Sequence, residues 1–205
     1  MKDFGELSGL QLDALREIGN IGAGNAATAL AQMVNAKIEM TVPRVSILSL
    51  TDVPELLGGA DSHVVGIYLR VQGSIGANIL FVLPIDNARL LVDMLMAVPS
   101  GSTRDFGEIE LSALQEVGNI VAATYLNAMV MFTQLKMVPS VPGLGIDMAG
   151  AILDAILAQF GEVGDYVLVL ETKFRKDRQD VVGQFFLLPE PGSLDTILSA
   201  LGVSN

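Results

Sequence analysis

Two sets of polar residues recur in the chain at the same spacing: Asp13, Glu17 and Asn20, then Ser112, Glu116 and Asn119. Each set offers a hydroxyl or carboxylate, a carboxylate and an amide. The rest of the composition narrows the chemistry they could share. There is no cysteine and His63 is the only histidine, so a thiol nucleophile, a Ser-His triad and a zinc site are close to excluded. Catalysis has to run on carboxylates, amides, hydroxyls or Lys and Arg.

The spacing belongs to helices. At about 100° per residue, Asp13, Glu17 and Asn20 fall within an arc of about 60°, and so do Ser112, Glu116 and Asn119. On the other side Leu15, Gly19, Gly22 and Ala26 share a face, matched by Leu114, Gly118, Val121 and Tyr125, and small residues there allow close helix packing. Gly22-x-Gly24-x-x-Ala27 also spells a variant of the dinucleotide-binding turn, which needs a strand immediately before its first glycine. Here Ser8 with Gln11 reads as a helix-capping box, and leucines at 7, 10, 12 and 15 do not alternate as in a strand. In the second set the two glycines become Val121 and Ala123, while Glu and Asn stay. The glycines are read as packing residues, and an oxidoreductase reading is set aside with them.

The sets belong to a longer repeat. "LDALREIGNIGAG" (12–24) and "LSALQEVGNIVAA" (111–123) agree at eight of thirteen positions, offset by 99, and Pro43 falls on Pro142. Each copy reads [Asp/Ser]-x3-Glu-x2-Asn-x22-Pro. A short apolar segment follows each proline (45–50; 143–148), then two strand-like runs and a closing helix (87–98; 193–203). The runs 64–72 and 75–83 are expected to form a hairpin with a tight turn near Gly73-Ser74; 166–174 and 180–188 are expected to be joined by a longer charged loop, "RKDRQ". Either half alone leaves an open sheet edge. The predicted fold is therefore α+β: two pseudo-symmetric repeats (helix, strand, β-hairpin, helix), about 7–99 and about 105–203, sharing one largely antiparallel sheet flanked by helices in a single domain, 1–205. "SGSTRD" (100–105) links them. The second copy alone carries an amphipathic stretch, 147–161.

One Glu-x-x-Asn on a helix describes an ordinary solvated face. Its persistence in both copies, while Asp13/Ser112 and Arg16/Gln115 change, marks Glu and Asn as selected. Both asparagines lie on the solvent side, so their replacement by alanine is expected to leave the fold intact.

A formal net charge of -11 disfavours nucleic acid and anionic membrane surfaces as partners. The longest apolar run, "GANILFVLPI", is far short of the ~20 residues of a membrane helix, and the amino terminus lacks a signal-peptide core. A soluble cytoplasmic protein is expected. His63 reads as a loop residue and the methionines as core filler. Lys173, Arg175, Lys176 and Arg178 read as a solvated turn or a contact to an acidic partner.

The doubled, spaced motif in an acidic, cysteine-free chain of 205 residues resembles the CheC branch of the CheC/CheX/FliY family of bacterial chemotaxis phosphatases. The resemblance implies hydrolysis of the aspartyl phosphate of the response regulator CheY-P at two sites. Asn20 and Asn119 would orient the attacking water, and Glu17 and Glu116 would dock on a lysine of the regulator. Asp13, Ser112, Pro43 and Pro142 would support the motif. A carboxylate beside the phosphate would repel it, which suits docking rather than general base catalysis; a neutral amide can place water without that penalty. The resemblance also implies that Mg²⁺ sits in the receiver, with no metal or cofactor bound by this chain. It implies binding to the receptor deamidase CheD, as a monomer or CheD heterodimer. Asp147 and Asp154, on the 147–161 stretch, are the candidate CheD contacts, though the same stretch reads equally as a core-covering helix. The alternative is a non-catalytic flagellar-switch or scaffold module, against which stands the retention of both Glu-Asn pairs.

Overall fold

The structure, a computed structural model, describes residues 7–160 and 166–203. Its two longest helices, α1 (Gly9–Val34) and α4 (Glu108–Thr133), each span 26 residues and begin 99 positions apart. Both starts are capped. The Ser8 side chain accepts from the Gln11 N–H while Gln11 Oε1 accepts from the Ser8 N–H, and Glu110 Oε2 accepts from the Gly107 N–H at 2.9 Å. Both end in a left-handed residue, Asn35 and Gln134. Gly22 and Gly24 lie inside α1, so no strand precedes them and the dinucleotide turn is absent.

Between and after these helices come β1 (Glu39–Ser49), a 3₁₀ turn (Leu50–Asp52), α2 (Val53–Leu56), β2 (His63–Gly73), β3 (Ala77–Pro84) and α3 (Ile85–Met96). The second copy continues with β4 (Met137–Pro139), β5 (Gly143–Met148), α5 (Ala149–Phe160), β6 (Tyr166–Lys176), β7 (Gln179–Pro189) and α6 (Ser193–Ala200). The strands form one seven-stranded sheet in the order β1-β6-β7-β3-β2-β4, with β5 also alongside β2, and the pairings are antiparallel.

That order exchanges strands between the copies. β1 of the first copy pairs with β6 of the second, and β4 and β5 of the second pair with β2 of the first. The two hairpins meet at β3–β7, where Phe81 faces Phe185 and Leu80 faces Phe186 about a local pseudo-twofold axis. Each repeat thus covers the sheet edge that the other would leave open.

Both sheet faces are buried, which is why β3 and β7 read as continuous apolar runs rather than alternating ones. On the front, α1, α3, α4 and α6 cover Ile67, Ile79, Phe81, Leu168, Phe174 and Phe185, among others. On the back, α2 and α5 cover Leu80, Val82, Val167, Val169, Phe186 and Leu188. α5 buries Ala149, Leu153 and Ile156 there, so it covers core, as one of the two sequence readings had it. It begins at Ala149; Asp147 belongs to β5, and Gly161 of the 147–161 stretch lies outside the described residues.

The hairpin turns reverse the sequence expectation. β6 and β7 close through two residues, Asp177 and Arg178, with Asp177 left-handed at φ 56°. β2 and β3 are paired only as far as Val71 and Ala77, so five residues make the connection. Gly73 does not form a two-residue turn because it pairs with Met137 of β4, where φ is 135° and a side chain would strike the Lys136 carbonyl. The basic cluster is a solvated turn only in part: Arg178 stands exposed in it, while the other three are engaged. Lys173 and Arg175 both hold Asp180, at 2.7 Å each, and Lys176 Nζ donates to the Met94 carbonyl at 2.8 Å. His63 is the first residue of β2 rather than a loop residue.

The inter-repeat link is tied to α3 by Asp93, whose buried carboxylate accepts the N–H groups of Gly101 (2.7 Å) and Thr103 (2.8 Å). Burial opposes its ionisation, but those donors and the Thr103 hydroxyl outweigh this and hold the carboxyl below its usual range. Its contribution to stability is therefore present above the unfolded carboxylate value and is lost as pH falls through the folded one.

The two glycines of the false motif separate cleanly by packing. A Cβ on Gly22 would lie 2.9 Å from the Tyr125 Cα, where α1 crosses α4, whereas one on Gly24 would meet nothing within 4 Å. Gly22→Ala is expected to lower the unfolding free energy by about 1–3 kcal/mol through overpacking. Gly24→Ala should raise it by roughly 0.5–1 kcal/mol through helix propensity. Urea denaturation of the two variants measures both signs, and equal effects would contradict this packing.

Candidate functional site

The two sites are built by the same device. Each candidate asparagine follows a glycine on which the helix approaches the sheet. A Cβ at Gly19 would lie 2.8 Å from Leu170 Cδ2, and one at Gly118 would overlap the Ile67 side chain. The missing side chains let the helix backbone sit low, with the next residue beside the edge strand of the sheet.

At that level the edge strand is irregular. In β1, Thr41 pairs with Lys173 and Arg44 with Glu171, so Val42 and Pro43 together face Thr172. This is a β-bulge, and Pro43 has no N–H to give a ladder. The Val42 N–H, displaced from regular pairing, donates to Asn20 Oδ1 at 3.1 Å. The twenty-two residues between Asn20 and Pro43 are therefore a structural span: the proline's bulge frees the preceding N–H, and the asparagine accepts it. Among the described residues Asn20 Nδ2 has no acceptor, so its two donors and the second Oδ1 lone pair are unspent.

The second site repeats the bulge but not the hydrogen bond. Ser140 is locked to Arg70 through Ser140 N–H to Arg70 O (2.7 Å) and Arg70 N–H to Ser140 Oγ (3.0 Å), and Gly143 pairs with Tyr68. Val141 and Pro142 thus face Leu69 alone, the counterpart of the first bulge. Here Val141 is 86% exposed where Val42 is 2% exposed, and the strand is broken into β4 and β5. Gln115 Nε2 donates to the Pro142 carbonyl at 2.7 Å, and half-buried Asn119 has no hydrogen-bond partner among the described residues. At the position matching Gln115, Arg16 instead pairs with Asp13 at 2.8 Å. Those two substitutions between the copies thus accompany two ways of dressing the helix.

Thr172, which sequence reasoning did not single out, supports the first site together with Tyr125 of the packing face. Thr172, opposite the bulge, shares a 3.2 Å hydroxyl contact with Tyr125 of α4, and both are buried. Burial drives the Tyr125 phenol well above its usual range, with the Thr172 contact opposing only in part, so it stays neutral. Its ring packs edge-on against Phe185 at 4.6 Å. The corresponding second-site residues, Leu69 and Ala26, are apolar. The Asn-to-Pro interval was the one signal that could have revealed the Val42 link.

The remaining candidates fall as follows. Glu17 and Glu116 are exposed, on the same helix faces as the asparagines, and neither has an ion-pair partner among the described residues. Asp13 and Ser112 are exposed one turn earlier on the same rows. Asp147 and Asp154 are exposed but sit apart from the motif helices, on β5 and on the outer side of α5. Among the described residues no three His, Asp or Glu side chains gather as a metal shell, and no helix is long and apolar enough to cross a membrane.

What the arrangement offers chemically is a neutral amide fixed at a helix–sheet junction, flanked by an unpaired carboxylate. Among the described residues neither Ser112 nor either glutamate has a side-chain partner that would activate it as nucleophile or base. The use of the arrangement is to orient a water and a partner, which suits a substrate already activated for hydrolysis.

The comparisons with known proteins follow the same repeat. The model of the CheC-like family matches residues 10–47 and 109–146, two segments offset by 99 that each run from the first helical turn through the bulge. The "CheY-P phosphatase CheC" of Bacillus subtilis is 37% identical over 208 residues, covering 100% of both chains. The crystal structure of Thermotoga maritima FliY superposes with a TM-score of 0.76 at 21% identity, over 96% of this chain and 98% of that one. The FliM middle domain of H. pylori gives 0.69 at 16% identity, over 95% and 99%. At those identities the last two establish the fold.

The two asparagines are predicted to differ in stability. Asn20→Ala strands the buried Val42 N–H and should cost about 1–3 kcal/mol, whereas Asn119→Ala should stay within about ±0.5 kcal/mol. This corrects the expectation that both are neutral. Thermal or urea unfolding of the single variants decides it, and equal stability would remove the structural role given to Asn20.

Proposed function

The chain belongs to the CheC-like family, and we propose from that premise that it hydrolyses the aspartyl phosphate of phosphorylated CheY, with Asn20 and Asn119 placing the attacking water. The observation that carries this reading is the Asn20 clamp: an exposed amide whose orientation is set by the Val42 N–H, beside a carboxylate with no partner of its own. An acyl phosphate is an activated electrophile, so the barrier yields mainly to positioning and to charge stabilisation around the phosphoryl group.

On this reading the asparagine enters the receiver's phosphate site. The water bonds to the free lone pair of the amide oxygen, and the amide N–H groups face water or phosphoryl oxygens without bringing negative charge. Glu17 and Glu116, one helical turn away, meet a lysine of the receiver and fix the docking. The receiver's acidic pocket holds the Mg²⁺ that neutralises developing charge, and the chain brings no ion of its own.

The substitution that isolates this chemistry is Asn→Asp. In Asn20→Asp the new carboxylate still accepts from the Val42 N–H, so the bulge stays supported, but the amide donors are lost and a negative charge is added beside the phosphate. Asn20→Asp with Asn119→Asp is expected to reduce stimulated dephosphorylation of CheY-P to the regulator's own rate, while each single variant keeps part of the activity. Loss of phosphate from labelled CheY-P measures it, and wild-type turnover by the double variant contradicts the mechanism. In the same assay, removing Mg²⁺ from the receiver should stop turnover, and stoichiometric Mg²⁺ binding by the chain alone, lost on Glu17→Gln with Glu116→Gln, would overturn the assignment of the ion.

CheD is proposed as a second partner that leaves the motif rows free. Because the apolar side of α5 is spent on the sheet, the surface open to CheD is the outer side bearing Asp154 and the adjoining strand bearing Asp147. Asp147→Lys with Asp154→Lys is expected to weaken CheD binding at least tenfold by calorimetry and to spare phosphatase activity; unchanged affinity places CheD elsewhere.

A further inference from the structure

The motif helices repeat a second feature that water positioning leaves unused. Leu10 and Ile109, offset by 99, are each the second residue of their helix, and they are 69% and 64% exposed. Three residues earlier Leu7 and Phe106 turn inward against the core, so the chain is anchored at both helix starts. The outward aliphatic side chain is a local choice at each. Ile109 lies mid-chain, so its exposure is not an effect of the neighbouring terminus.

Both residues stand in line with the polar set. Leu10, Asp13, Glu17 and Asn20 step by three, four and three, which makes a single row along the helix, and Ile109, Ser112, Glu116 and Asn119 make the same row. Within that row Asp13 has become Ser112, yet a large aliphatic is present in both copies. The free protein gains little from it, since an exposed side chain contributes almost no burial and a β-branched isoleucine slightly disfavours helix.

We propose that Leu10 and Ile109 are apolar docking residues for the phosphorylated receiver, each burying against an apolar side chain on the receiver's surface beyond its phosphate site. This rests on the function proposed above and adds the part of the receiver's footprint that polar residues do not supply. The receiver is the occupant because of where the row leads. Glu17 lies on the Leu10 side of Asn20, so a receiver held by both extends toward Leu10. Leu10 is about 15 Å along the axis from Asn20, well within the span of a domain whose radius of gyration is about 13 Å. A second copy of this chain or a membrane would have no reason to follow a row that ends on the amide.

The test is steady-state dephosphorylation of CheY-P by Leu10→Gln with Ile109→Gln. The native side chains would be bound alike in ground and transition states, so KM should rise on the order of tenfold, the factor for about 1.4 kcal/mol of lost apolar burial, with kcat unchanged. Leu10→Ile with Ile109→Leu, which exchanges the two aliphatics, should keep the wild-type KM. Wild-type KM in the glutamine variant overturns the inference, as does a fall in kcat at constant KM or a KM rise matched by the aliphatic exchange. Asn20→Asp with Asn119→Asp, run alongside, separates the two levels. If it abolishes turnover while the glutamine variant behaves as wild type, only the docking role fails; if it leaves turnover intact, the proposed function fails first.

Discussion

How low α1 and α4 can lie on the sheet decides what their exposed faces can do, and that height is set by the absence of a side chain at Gly19 and Gly118. With a Cβ at either position the helix would press on Leu170 or Ile67 and rise. Glycine at position 19 leaves α1 room to lie against the sheet where Asn20 accepts the Val42 N–H. In the first copy the Gly-Asn pair is therefore one device, a packing glycine followed by an asparagine that accepts the Val42 N–H; in the second the glycine packs alike, but the Asn119 amide has no such partner among the described residues. Overpacking at the glycine would act on the amide without touching it.

The strand exchange makes the same point at larger scale. The first site takes its helix and bulge from one repeat, but Thr172 and Leu170 beneath them belong to the other. Tyr125, which meets Thr172, also blocks Gly22 at the helix crossing and packs edge-on against Phe185. The two sites are thus parts of one core and share its stability. The duplication has nonetheless diverged. The first site uses buried polar contacts and an accepted N–H; the second uses Leu69, Ala26 and a protruding Val141. A protein with two such sites holds one amide rigidly and presents the other with less support.

Much of this could be read from the residues, and the failures have physical causes. The repeat, both motif helices, the hairpins and the shared sheet followed from periodicity and from the cost of open edges. The Gly73-Ser74 turn misled because the demand on Gly73 comes from Lys136, brought in by a strand of the other repeat. The "RKDRQ" segment looked like a long loop because its charges suggested solvent, whereas Arg175, Lys176 and Gln179 are paired in the β6–β7 ladder and Arg175 shares Asp180 with Lys173. Asn20 looked like a surface residue, and by exposure it is one. Its structural task lies in a single hydrogen bond to a backbone N–H that only a bulge releases, and side-chain patterns do not report backbone N–H groups.

Entry of these two amides into the receiver's phosphate site is tested most directly by NMR of the ¹⁵N-labelled chain, following the Asn20 and Asn119 side-chain amide resonances. The titrant is CheY held in its active form by beryllofluoride and Mg²⁺. Both pairs of Nδ2 resonances are expected to shift on binding the activated receiver and to stay in place with the unactivated one. Binding of the activated receiver with both asparagine side chains unperturbed would contradict the water-placing role of the amides.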